Sequence, residues 1–224
     1  MTTIVVDVAP PVVLKPVLRG WSHVASFVIV GVIGLFLLAS TDAPPRARLT
    51  LVIYLLGTLA MFGVSALYHR GVWSDGALSV WRRLDHSTIF LAIAGGYTPI
   101  SVACLDGWHR DAVLCAAWGG ALLGITLQWL PMHVPRALFT VVYVVVGWSI
   151  GLALPQLVHG MGVAGFLLVL AGGLAYTLGA LVYALKRPDP WPRVFGFHEV
   201  FHLLTVVGAG LHLAAIAFVV APKL

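Results

Sequence analysis

Seven runs of predominantly apolar residues, at roughly 21–40, 49–69, 86–105, 112–130, 137–157, 161–185 and 197–220, leave this chain few folds to choose from. Each run is close to the ~20 residues that carry an α-helix across a bilayer. Charged residues make up only 9% of the chain, against ~25% in a soluble domain, so it cannot cover itself with a polar surface. Lipid must be its solvent. The expected fold is an all-α, integral membrane bundle of seven transmembrane helices.

Connections between the runs are short and punctuated by Pro, Gly and Asp, as in Asp42-Ala43-Pro44-Pro45-Arg46, Asp106-Gly107-Trp108 and Pro188-Asp189-Pro190-Trp191-Pro192. Residues 1–20 read as a short cytoplasmic segment and 21–224 as one membrane domain. The first run exceeds the ~7–15-residue core of a signal peptide, so it reads as a retained helix. The net charge of +5 does not point to nucleic acid, because the basic residues lie in loops, where they set topology and meet lipid headgroups. One set of alternate loops carries nine of them: Lys15, Arg19, Arg70, Arg82, Arg83, Arg136, Lys186, Arg187 and Arg193. The other carries four: Arg46, Arg48, Arg110 and Lys223. The richer side should be cytoplasmic, which puts the amino terminus inside, the carboxyl terminus outside and the protein in a plasma membrane. Cys104 and Cys115 flank one loop and read as apolar packing residues rather than metal ligands, although a disulfide between them is open. Glycines such as Gly34, Gly119, Gly124, Gly173 and Gly210 read as points of close helix approach.

The polar residues converge in depth. His69 ends the second run, with Ser65 one turn deeper on the same face. Asp85 stands at the threshold of the third run, and His198 and His202 occupy the first two turns of the seventh. Residues four apart share a helix face, so one ion can reach both rings of the last pair. Polar side chains at membrane depth are costly and mark function. Three imidazoles with one open position suit zinc carrying a water, and an acidic neighbour can move that water's proton. Asp85 is the candidate acid–base group and Ser65 its hydrogen-bonding companion, though Asp85 could instead cap its helix or pair with Arg82 or Arg83. His198-Glu199-Val200-Phe201-His202 also spells H-E-x-x-H, so Glu199 competes for the role of base, or else caps the helix or faces the headgroups. His86 should point off the Asp85 face. His23 begins the first helix close enough for an outer role. His212 and Gln128 lie in helix interiors away from the cluster.

Four segments resemble the haemolysin III family: Gly63-Val64-Ser65-Ala66-Leu67-Tyr68-His69, Arg82-Arg83-Leu84-Asp85-His86-Ser87-Thr88-Ile89-Phe90, Ile93-Ala94-Gly95-Gly96-Tyr97-Thr98-Pro99, and His198-Glu199-Val200-Phe201-His202. That family is grouped with the progestin and adipoQ receptors and the alkaline ceramidases. The resemblance implies a seven-helix bundle, zinc on His69, His198 and His202, and Asp85 and Ser65 beside it. Three functions stay open at this point. One is a zinc-dependent hydrolase of a lipid amide or ester, its substrate entering from the bilayer. The others are a pore-former, as the family name implies, and a lipid sensor with structural zinc. The short form suggests a bacterial source.

Overall fold

The computed structural model describes residues 15–131 and 136–224, the side chains of 136 and 137 excepted. His133, which falls between the fourth and fifth apolar runs and so is expected in a loop, lies outside the described residues, as do residues 1–14. The described residues are helical almost throughout: α1 (Trp21–Ser40), α2 (Pro45–Arg70), α3 (Asp75–Cys104), α4 (Gly107–Trp129), α5 (Arg136–Gly147), α6 (Leu154–Leu185) and α7 (Phe197–Ala215). Six stretches are long and apolar enough to cross a membrane, Leu138–Leu185 being taken as one of them. That stretch is not a single straight rod. Its 48 residues would reach about 72 Å at ~1.5 Å per residue, more than twice the ~30 Å of hydrocarbon. Gly162 breaks it, with φ 70 and ψ 169, a left-handed backbone open to glycine because it has no Cβ.

A second interruption precedes α6. Pro155 has no N–H to offer the carbonyl of Gly151. The Tyr97 hydroxyl donates to the carbonyl of Gly147. Gly151 therefore turns back to Trp148, at 2.9 Å, and residues Ser149–Ala153 form a 3₁₀ turn. The run read at 137–157 is thus two short helical pieces with a tight joint.

Helix α3 is the bundle's centre. It packs on α2 and α4 and also meets α5, α6 and the last turns of the chain. Phe90, Ala94 and Ile100 are wholly buried on it. By contrast α1 buries one stripe, His23, Ser26, Val30, Gly34 and Leu37, and turns Phe27, Ile29, Val32, Leu35 and Phe36 outward. That is the pattern of a peripheral helix whose outer face meets lipid. Helix α3 starts at Asp75, eleven residues before the apolar run, with Ser74 in the capping position. Its 30 residues span about 45 Å, so the first turns extend past the ~30 Å apolar layer. Apolarity ends where the hydrocarbon ends, but the backbone ladder need not.

Candidate metal centre

Three histidines from two helices meet at one end of the bundle. His69 occupies the last turn of α2, and His198 and His202 the first two turns of α7. One ring nitrogen of each lies within 4.8 Å of the other two. Nε2 of His69 and Nε2 of His198 are 3.3 Å apart. The ring centroids of His198 and His202 are 4.5 Å apart, and each lies 4.9 Å from that of His69. His202 is 2% exposed and His69 7%. The donor set fits a zinc-type cation on two counts. Imidazole nitrogens bind zinc at ~2.0–2.1 Å, so three on one ion sit within about 4.2 Å of one another, a spacing that small ring rotations reach here. Moreover, Nδ1 of His202 is buried with no hydrogen-bond partner, and buried nitrogens without partners are rare.

The neighbours sort into two groups. Ser65 is buried on α2, one turn from His69, and lines the same cavity as the Asp85 carboxylate of α3. Asp85, 15% exposed, lines a cavity of about 250 Å³ together with Ser65, His23, His198 and His202. This cavity runs between α3, α5, α6 and α7 as far as His212, and its walls are mainly apolar. Asp85 lies ten residues inside α3, so it is not that helix's cap. His86 does not point away: its Nδ1 lies 3.9 Å from an Asp85 oxygen, 2.8 Å from the carbonyl of Arg82, and the ring lines the same cavity. The ring folds back over the preceding turn, which brings it to the Asp85 side of the helix.

Glu199 belongs to the second group. It is 3% exposed, so it does not face the headgroups. One oxygen accepts from the N–H of Gly196 at 2.8 Å, capping α7, and the other takes the guanidinium of Arg19. Both oxygens are engaged in holding the helix start, one on Arg19 and one on the Gly196 N–H. His23 of α1 stacks on His202, with centroids 3.9 Å apart and planes 14° apart. Neither of its nitrogens makes a hydrogen bond of ordinary geometry, and the ring also approaches the backbone of His202. Sequence reasoning had no signal for the Arg19–Glu199 pair, whose members lie 180 residues apart.

The remaining sequence expectations divide. His212 hydrogen-bonds the carbonyl of Val169 at 3.2 Å, inside the bundle. Gln128 donates to Tyr143, whose hydroxyl in turn bonds the carbonyl of His86. Cys104 and Cys115 are both free, the first buried and the second exposed, so no disulfide joins them. Gly34 and Gly124 do mark close packing, whereas a methyl group at Gly119, Gly173 or Gly210 would meet nothing within 4 Å.

Residues 12–213 match the family model described as haemolysin-III related. The chain is 28% identical to Hemolysin-3 of Bacillus cereus over 194 residues, covering 87% of this chain and 85% of that one. It is 28% identical to the Hemolysin-3 homolog of Bacillus subtilis, over 74% of this chain and 75% of that one. A heptahelical transmembrane protein, ADIPOR2, of Oryza sativa subsp. japonica is 31% identical over 184 residues, 74% of this chain and 79% of that one.

Proposed function

From the premise that the chain belongs to the haemolysin III-related family, we propose that it is an intramembrane zinc-dependent hydrolase of lipid amide or ester bonds. The single observation that carries this reading is the meeting of His69, His198 and His202 beside a cavity that His198 and His202 line together with Ser65 and a carboxylate, Asp85. A purely structural site would need no such company. Zinc held by the three imidazoles would supply a Lewis acid for a substrate carbonyl. Asp85 accepts a proton from the attacking water and returns it to the leaving amine or alcohol as the carbonyl–heteroatom bond breaks. Ser65 fixes the carboxylate's orientation through its hydroxyl. The apolar cavity accepts an acyl chain from the bilayer and keeps bulk water from the reacting carbonyl.

We read the break at Gly162 as the joint between a fifth and a sixth crossing, which makes seven. The positive-inside count then sets the amino terminus and the histidine cluster at the cytoplasmic face of a plasma membrane, and the carboxyl terminus outside. The name heptahelical borne by the rice relative supports that number. A protease reading built on H-E-x-x-H loses its base, because Glu199 is engaged by Arg19 and Gly196. The test is metal content and lipid turnover on one preparation. Purified protein should carry about one zinc per chain, and His202→Ala should lose it, as removal of one of three ligands implies. Full retention of zinc by His202→Ala would remove the ligand assignment and with it the mechanism.

A further inference from the structure

The short segment before and into α1 reaches both helix ends that carry the histidine centre. Arg19 holds Glu199, which stands between His198 and His202 in sequence. Gly20 lies so close to α2 that a Cβ there would sit 2.8 Å from Cβ of His69. Its φ of 82 turns the chain into α1 at that point, a conformation suited to glycine. The Arg70 guanidinium lies 4.6 Å over the Trp21 ring. His23 stacks on His202. Upstream, the N–H groups of Val17 and Leu18 donate to the carbonyls of Arg193 and Val194, each at 3.1 Å, just before α7 begins. The ligands come from α2 and α7, and this segment bridges those two helix ends.

We propose that residues 17–23 act as a clamp that sets the spacing of the metal centre, with Arg19 a positioning residue that works through Glu199. The inference rests on the metal reading above. The charge arrangement makes the clamp asymmetric. Glu199 is 3% exposed and Arg19 19%. Removing Arg19 leaves a buried carboxylate uncompensated, next to His198 and three residues before His202, and the start of α7 must move to hydrate it. Removing the Glu199 charge leaves a guanidinium that water already reaches, and glutamine still offers an oxygen to the Gly196 N–H.

The experiment measures zinc affinity of the full chain in detergent by chelator competition, beside thermal unfolding with and without zinc. Arg19→Met should bind zinc about 10–100-fold more weakly, the loss expected when a ligand's supporting partner is removed. Glu199→Gln should bind within about threefold of wild type, because no buried charge is left unpaired. Adding Glu199→Gln to Arg19→Met should recover most of the lost affinity, a rescue that lost packing alone would not give. Arg19→Lys keeps the charge without the planar fork and should fall between, about 3–10-fold weaker. Arg19→Met binding within twofold of wild type, or no recovery in the double variant, overturns the clamp. If Arg19→Met does not fold, the double variant decides: near-native affinity supports the clamp and a tenfold loss overturns it. Wild-type protein that binds no zinc overturns the metal reading instead, so the two failures are distinguishable.

Discussion

Replacing Gly57 by alanine adds a single methyl group where α2 and α3 meet backbone to backbone. A Cβ at Gly57 would lie 2.6 Å from the carbonyl oxygen of Leu91 and 3.4 Å from Cα of Ala92. Opening 2.6 Å to an ordinary 3.4 Å contact parts the helices by about 0.8 Å locally. A backbone carbonyl cannot swing aside as a side-chain tip can, so the strain falls on the whole interface. Overpacking of this kind costs about 1–3 kcal/mol. Alanine's better helix propensity offsets up to about 1 kcal/mol of that. Gly96, in α3, is the matched control: a methyl there meets nothing within 4 Å, so Gly96→Ala receives the propensity gain alone. The two variants should therefore differ by the overpacking cost, about 1–3 kcal/mol, or about 2–12 °C in Tm for a chain of this size. Eight residues along α2 from Gly57 stands Ser65, which lines one cavity with Asp85 of α3, so Gly57→Ala should also lower turnover of any substrate found. Thermal unfolding of both variants side by side in detergent is the assay. Equal Tm values for Gly57→Ala and Gly96→Ala would refute the argument that this contact fixes the α2–α3 distance.

Two further outcomes are expected. Asp85→Ala should keep its zinc and lose turnover, because the carboxylate stands beside the histidines without belonging to the ligand set; unchanged turnover would remove Asp85 from the chemistry. A reporter fused after Leu224 should score as extracytoplasmic, and a cytoplasmic score would reverse the topology and put the cluster at the other leaflet.

The membrane class and the helical character were legible in the chain because hydrocarbon tolerates few backbone solutions and long apolar runs advertise one of them. The histidine group was legible for a related reason. His198 and His202 are four residues apart on one helix, and polar side chains are scarce enough in such a chain that those at one depth stand out. Boundaries were less legible. The starts of α2, α3 and α4 lie four to eleven residues before the apolar runs, since the backbone ladder of a helix answers to hydrogen bonding and not to hydropathy.

Amino-acid order alone thus determined the solvent, the kind of element and the three imidazoles that could share an ion, because each follows from composition, from spacing within one helix or from shared depth in the bilayer. Only the tertiary structure decided what each neighbour does. It gave Glu199 to Arg19 and to the cap of α7, set His23 against His202, turned His86 back beside Asp85, and selected which glycines carry close contacts. Those outcomes depend on contacts between residues far apart in the chain, and such contacts are fixed by how whole helices pack, a quantity that no local pattern encodes.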